Sequence, residues 1–189
     1  KKIKVIDNLK GLNKNKYKKM NFIIGIGSNY KRFKIVEEIK KLKLKLKWSK
    51  VISKNAIING DVTIGDGSVI FSGAIIANES KIGEHCFIGP NTNLEHNNTF
   101  GSFSSCGAGV NCGGRVDVGK YSFLGIGTSV KHQVNIGENC IVGGQSLILK
   151  NCHKNSLYFG VPAKKHFRLE VEKYSYMWRD GGQFAKKND

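Results

Sequence analysis

A six-residue hydrophobic period runs through the middle of this chain and limits what the chain can fold into. From residue 52 onward every sixth residue is apolar for seventeen consecutive steps, and the series stops at Lys154. Glycine follows ten of these residues, and nearly all are preceded, two positions earlier, by a small or short residue. A period this long predicts a repeat architecture whose units stack on one another. The seventeen positions, called core steps below, are Ile52, Ile58, Ile64, Ile70, Ile76, Ile82, Ile88, Leu94, Phe100, Cys106, Cys112, Val118, Leu124, Val130, Ile136, Val142 and Ile148.

The geometry of a stacked coil explains this period. Six residues form one short strand and one corner, with the apolar residue pointing inward onto its equivalents in the neighbouring coils. The glycine or asparagine that follows each core step is expected to turn the corner, because positive φ costs these residue types little. Three such units close one coil of about 18 residues. The sequence therefore predicts an all-β fold over residues 49–152, a left-handed parallel β-helix of five to six coils.

The segments on either side of the repeat have different patterns. Residues 1–48 are predicted to form a partial, Rossmann-like α/β unit, with a buried strand at 20–27, a helix at 32–42 and a strand at 43–48. The glycines at 25–29 favour a strand-to-helix turn over a phosphate loop. Residues 153–189 are predicted to hold a loop and a helix that covers the open end of the solenoid. The apolar residues of that helix are Leu169, Val171, Tyr174 and Met177.

Composition narrows the functional classes. Residues 1–54 contain 18 Lys and Arg against 3 Asp and Glu, which indicates either an anion site or a bias toward lysine. No known nucleic-acid-binding motif accompanies this charge, and no apolar run reaches 18 residues, so neither nucleic-acid binding nor membrane insertion is expected. The five cysteines fall on inward-facing positions without a CxxC pair, which predicts free thiols, no metal site and a reducing, cytoplasmic location.

Four segments carry a family resemblance. They read FIIGIGSNYKRFKI at 22–35, LEHNNTFGSFS at 94–104, VDVGKYSFLGIGTSV at 116–130 and YFGVPAKK at 158–165. Together they resemble the bacterial acetyltransferases that modify sialic acid or nucleotide-linked 4-amino sugars, as in the bacillosamine pathway. The resemblance implies acetyl-CoA as cosubstrate, a nucleotide-sugar substrate for surface glycan or glycoprotein synthesis, and a homotrimer with active sites between subunits. It favours N-acetylation and leaves sialic-acid-type O-acetylation open.

The resemblance also assigns roles to individual residues. The catalytic histidine of the family matches His96, which would be the general base for direct transfer. The acidic residue that often follows this histidine is Asn97 here, and Glu95 is a candidate replacement. A second histidine of the family matches Ser105. By the same resemblance the cofactor would contact Ser105, Gly114, Ile126, Gly144, Lys164 and Lys165, and the sugar substrate would contact Asp7 and Asn8.

The repeat itself supports the position of His96. Gly114 and His132 follow His96 at intervals of eighteen residues, so all three are expected on one edge of the prism. A zinc enzyme of the γ-carbonic anhydrase type would need three histidines, and His132 has no partner at the required spacing. The substitutions at Asn97 and Ser105 keep a catalytically inactive scaffold open as an alternative, whereas no threonine ladder supports ice binding.

Overall fold

The computed structural model describes residues 9–13, 17 and 19–168. Asp7, Asn8 and the C-terminal helix predicted within 153–189 lie outside these residues, and the boundaries at 48/49 and 152/153 stay predictions. The first elements are a 3₁₀ helix (Lys10–Asn13), β1 (Asn21–Phe22), α1 (Asn29–Lys41) and β2 (Lys47–Trp48). The solenoid strands are β3 (Val51–Ile52), β4 (Ile57–Ile58), β5 (Thr63–Ile64), β6 (Val69–Ile70), β7 (Ile75–Ile76), β8 (Lys81–Ile82), β9 (Phe87–Ile88), β10 (Asn93–Leu94), β11 (Thr99–Phe100), β12 (Ser105–Cys106), β13 (Asn111–Cys112), β14 (Asp117–Val118), β15 (Phe123–Leu124), β16 (Ser129–Val130), β17 (Asn135–Ile136), β18 (Ile141–Val142) and β19 (Leu147–Ile148). A hairpin of β20 (Ser156–Gly160) and β21 (Ala163–Arg168) follows.

The solenoid strands form three parallel sheets, which are the faces of the prism. Face 1 contains β4, β7, β10, β13, β16 and β19, and face 2 contains β5, β8, β11, β14 and β17. Face 3 contains β3, β6, β9, β12, β15 and β18, and the β20–β21 hairpin extends it. Each residue pairs with the one eighteen positions further on, as Asn93 does with Asn111. The predicted left-handed β-helix is confirmed.

The interior of the prism is filled by the core steps. All fourteen core steps from Ile70 to Ile148 are buried, whereas Ile52 in the first coil is 44% exposed. The five cysteines are buried free thiols, as the repeat predicted. Burial raises the pKa of the Cys106 thiol to about 11, so this side chain packs as a neutral apolar group.

The predicted reason for the glycines was wrong. Positive φ occurs three residues after the core step, at every sixth position from Gly67 to Gln145. The glycines directly after the core step are needed because the next coil passes too close for a side chain. A Cβ on Gly89 would lie 2.5 Å from the carbonyl carbon of Gly107. Close backbone approach therefore selects glycine at these positions.

The N-terminal strands are shorter than the sequence patterns indicated, whereas the helix is longer and begins three residues earlier than predicted. β1 and β2 pair in parallel over two residues each, instead of spanning the predicted segments. Helix α1 begins at Asn29 because the Ser28 hydroxyl accepts a hydrogen bond from the Lys31 amide at 3.4 Å and caps its N-terminus. No helix among the described residues is long and apolar enough to cross a membrane.

Arg32 of α1 joins the N-terminal elements to face 3. Its guanidinium is fully buried and donates to the carbonyl oxygens of Ile26, Gly27, His85 and Phe103, at 2.8–3.3 Å. It also donates to Asn29 Oδ1 at 2.8 Å and Ser105 Oγ at 2.7 Å, and its Cζ lies 4.0 Å from the centre of the Phe87 ring. Burial lowers the pKa of Arg32 to about 10, which leaves the group cationic at neutral pH. The charge is thus solvated by protein carbonyls.

His85 lies in the seam between α1 and face 3, where its carbonyl oxygen accepts from Arg32. Its side chain makes the stability of this seam dependent on pH. It is 2% exposed and stacks on Phe103, with ring centres 5.0 Å apart, and among the described residues its Nδ1 has no hydrogen-bond partner. Burial, followed by the charges of Arg32 and Lys40, lowers its pKa from 6.5 to about 4. The folded pKa is depressed, so the stabilisation is complete above pH 6.5 and is lost as the pH falls toward 4, by at most about 3 kcal/mol.

Urea denaturation of wild type and His85→Asn across this pH range tests the expectation. Asparagine suits the positive φ of position 85, and the variant should lose the His85 part of the pH slope. The exposed His132→Asn variant should keep the wild-type slope. Equal slopes in wild type and His85→Asn would show that His85 does not titrate on unfolding.

Candidate active site

His96 lies at the corner between face 1 and face 2, two residues after the core step of β10. The side chain is exposed, and its ring lies over Gly114 of the next coil. A Cβ on Gly114 would be 2.5 Å from His96 Nε2, so only glycine leaves room for the ring in this position. The Arg115 amide donates to the His96 carbonyl at 2.9 Å, and the Gln133 amide donates to that of Gly114. These bonds place His96, Gly114 and His132 in successive coils of one edge, as the repeat predicted.

A chain of side-chain contacts holds the His96 ring. His96 Nδ1 lies 2.8 Å from Asn97 Oδ1, and Asn97 Nδ2 donates to Glu79 Oε2 at 2.5 Å. Asn97 has a φ of +59°, a conformation that asparagine tolerates well. Its backbone N–H donates to the backbone carbonyl oxygen of Asn78 at 2.9 Å. The backbone thus fixes the side chain that contacts the imidazole.

Sequence reasoning missed Glu79. The signal was present, because residue 79 lies eighteen positions before Asn97 and therefore one coil below it. Glu95, the candidate replacement for the acidic residue, is exposed, and within the described part of the chain its carboxylate makes no hydrogen bond or ion pair. Its carbonyl oxygen instead accepts from Ser80 Oγ and Asn98 Nδ2 inside the corner.

An open pocket of about 380 Å³ adjoins this chain of contacts. Its lining residues are Asp61, Glu79, Lys81, Asn97 and Thr99, which come from three successive coils at and beside the corner. The pocket has two carboxylates and one ammonium group, so a polar molecule could be held next to Asn97. Its position gives the edge that carries His96 a concave, polar surface.

Ile126 and Gly144 lie on a different edge of the prism. Each follows a core step of face 3 by two residues, at the corner between face 3 and face 1. Ile126 is 56% exposed, and a Cβ on Gly144 would lie 3.2 Å from the Ile126 carbonyl oxygen. The two residues therefore stack on each other along an open ridge. One chain does not bring them to His96, because face 1 separates the two edges.

Ser105 lies on face 3 beneath the N-terminal elements. It is 3% exposed, its hydroxyl donates to Asn29 Oδ1 at 2.7 Å, and it accepts a hydrogen bond from Arg32. Its hydrogen-bonding capacity is used within the chain, so we leave it out of the cofactor site proposed below.

Lys164 and Lys165 lie on β21 at the C-terminal end of the solenoid. Both are exposed, and both line an open pocket of about 520 Å³ that also includes Lys150. Three ammonium groups around one pocket favour an anionic ligand. No cluster of three potential metal-binding side chains occurs among the described residues.

The chain is similar to several solved structures that have this fold. A histidine-to-alanine variant of GDP-perosamine N-acetyltransferase from Caulobacter crescentus, in complex with CoA and GDP-perosamine, is 26% identical; the match covers 84% of this chain and 74% of that chain, with a TM-score of 0.77. The acetyltransferase domain of PglB from Neisseria gonorrhoeae is 22% identical over 77% of this chain and 70% of that chain, with a TM-score of 0.72. A variant of AntD, an N-acyltransferase from Bacillus cereus, in complex with dTDP and coenzyme A, is 22% identical. The match covers 71% of this chain and 89% of that chain, with a TM-score of 0.58.

The last two matches, at 22% identity, show the fold alone. No protein-family model and no curated protein sequence matches the chain. The family resemblance drawn from the motifs is nevertheless confirmed, because the neighbour at 26% identity is a nucleotide-sugar N-acetyltransferase that shares this fold.

Proposed function

We propose that this chain is an acetyl-CoA-dependent N-acetyltransferase that acts on a nucleotide-linked 4-amino sugar for surface glycan or glycoprotein synthesis. The observation that carries the proposal is the exposed His96 ring, held at its Nδ1 side by Asn97 and lying over a glycine at the edge of the solenoid. The neighbour at 26% identity, which has both CoA and a GDP-linked sugar bound, supports this class of substrates.

His96 is the general base in this proposal. The amino nitrogen of the sugar attacks the thioester carbonyl carbon, and His96 Nε2 takes the proton that this nitrogen loses. A tetrahedral oxyanion forms, which a backbone N–H group can stabilise. The C–S bond then breaks, the sulfur leaves as a thiolate, and the proton on His96 can neutralise it. Imidazoles suit this exchange because they titrate near neutral pH.

The cofactor site requires two chains. Gly114 and His96 occupy one edge, whereas Ile126 and Gly144 occupy another, so a pantetheine arm that contacts both sets runs between adjacent subunits. A homotrimer provides such a groove at each of its three interfaces. Lys164 and Lys165, beside Lys150, would hold the phosphates of the cofactor. Asp7 and Asn8 stay candidates for contacts to the nucleotide sugar.

The location follows from the thiols. Five buried free cysteines suit a reducing compartment, so the protein would act in the cytoplasm, where acetyl-CoA and nucleotide sugars are made.

Thiol release from acetyl-CoA, measured against a panel of nucleotide-linked sugars, tests the proposal. Turnover with a UDP- or GDP-linked 4-amino sugar, and none with the matching 4-hydroxy sugar, supports N-acetylation. Turnover only with sialic acid would assign O-acetylation instead. No turnover with any sugar, together with no acetyl-CoA binding by calorimetry, would leave an inactive scaffold and reject the enzyme.

A further inference from the structure

Three side chains from two adjacent coils form a line that ends at the proposed base. Glu79 stands one coil below Asn97, and Asn97 Nδ2 donates to its carboxylate. Asn97 Oδ1 is then directed at His96 Nδ1, 2.8 Å away. Among the described residues, His96 Nε2 has no hydrogen-bond partner and lies over Gly114. The proposed mechanism uses only the last atom of this line and does not account for Glu79.

The carboxylate determines which end of the amide faces the histidine. A carboxylate can only accept hydrogen bonds, so the NH₂ end of the Asn97 amide must face Glu79. The carbonyl end therefore faces His96, and a carbonyl oxygen can also only accept. Nδ1 must then carry the single proton of the neutral imidazole. The lone pair is left on Nε2, the atom that a general base at this edge needs.

Without Glu79 this order would be lost. The two ends of an asparagine amide have nearly the same shape, so an unrestrained amide can rotate and present its NH₂ group to Nδ1. Nδ1 would then be the acceptor, and the proton would move to Nε2. A histidine in that tautomer cannot remove a proton through Nε2.

From this geometry we infer that Glu79 is a positioning residue, which acts through Asn97 to keep His96 in the tautomer with an unprotonated Nε2. The inference rests on the proposed function for its kinetic consequence but not for the tautomer itself. It also accounts for Asn97 at the position where the family often has an acidic residue. Here the acidic group is Glu79, which lies in the adjacent coil and contacts Asn97.

The Glu79→Gln variant tests the inference. Glutamine already occupies the equivalent positive-φ step at Gln133 and Gln145, so the backbone accommodates it. Because glutamine can both donate and accept, it no longer selects one orientation of the Asn97 amide. We expect kcat to fall about tenfold to hundredfold, the range of one hydrogen bond to a charged group, while KM for acetyl-CoA changes less than about twofold. The ¹⁵N shifts of the His96 ring should show an increased fraction of the Nε2–H tautomer.

Glu84→Gln is the matched control. It makes the same change at an exposed carboxylate on the edge between face 2 and face 3, away from His96 and from the polar pocket, so it should leave both the tautomer and kcat close to wild type. Equal effects of the two variants would indicate a general loss of negative charge and would overturn the positioning role. An unchanged tautomer in Glu79→Gln would overturn it as well.

The spectra separate the two proposals. If the wild-type protein transfers no acetyl group, the proposed function fails, yet the tautomer in the resting protein still tests Glu79. If the wild type is active and the tautomer of Glu79→Gln is unchanged, the positioning role fails while the enzyme class stands. The melting temperature of each variant, compared with wild type, identifies any that is misfolded.

Discussion

Replacement of His96 by glutamine is expected to lower kcat for acetyl transfer by about 10²–10⁴-fold, the usual contribution of a general base. Glutamine retains polarity and approximate size, but it cannot accept a proton. The ring is exposed and sits at a corner, so the fold should not change. Steady-state thiol release with the preferred sugar measures the loss, and calorimetry should give an acetyl-CoA affinity close to that of wild type.

The matched control is His132→Gln. This histidine is exposed on the same edge, two coils and therefore about 10 Å away, so its replacement should leave kcat within about twofold of wild type. A large loss in His132→Gln together with a small one in His96→Gln would move the base along the edge and contradict the assignment.

Gly114→Ala probes the same base without altering it. The added methyl group would meet His96 Nε2 at 2.5 Å and force the ring away from the groove, so kcat should fall although the base is intact. Gly25→Ala is the comparison, because its added Cβ would have nothing within 4 Å. If Gly114→Ala is fully active, the ring position seen over Gly114 is not the reactive one.

The repeat period predicted the solenoid because stacking requires it at every coil. An inward residue at a core step contacts its equivalents above and below, so each position from Ile70 to Ile148 is constrained in the same way. The same arithmetic placed His96 and Gly114 on one edge. It could also have found Glu79, had the interval of eighteen been applied backward from Asn97 as well as forward from His96.

Other features could not be read from the period. Positive φ occurs three residues after each core step, where many residue types are found. Glycine is commonest directly after the core step, where it is needed because the backbones of adjacent coils approach closely. The frequency of glycine therefore does not reveal where φ is positive. Ser105 was assigned to the cofactor site by the resemblance alone, and the structure buries it beneath α1, with Asn29 and Arg32 as its partners. A contact between residues 29 or 32 and residue 105 joins two unlike segments, so no internal repeat signals it.

The seam at Arg32 is where a single substitution should most weaken the protein. In Arg32→Met the side chain keeps much of its apolar volume but loses every donor. The carbonyl oxygens of His85 and Phe103, which accept from the buried guanidinium, then lose this partner, as does Ser105 Oγ. Each buried polar group left without a partner costs about 1–3 kcal/mol, so Arg32→Met should cost about 3 kcal/mol or more.

That loss should be local before it is global. The solenoid has its own core, so amide hydrogen exchange in Arg32→Met should rise in α1, β1 and β2 by a factor of about 10² or more, while the strands of face 1 stay protected. Lys41→Met is the control, because this exposed lysine lies in the last turn of the same helix and should cost less than about 1 kcal/mol. Equal protection of α1 in wild type and Arg32→Met would mean that apolar contacts such as Phe33 on Phe103 hold the N-terminal elements, and that the buried cation is dispensable.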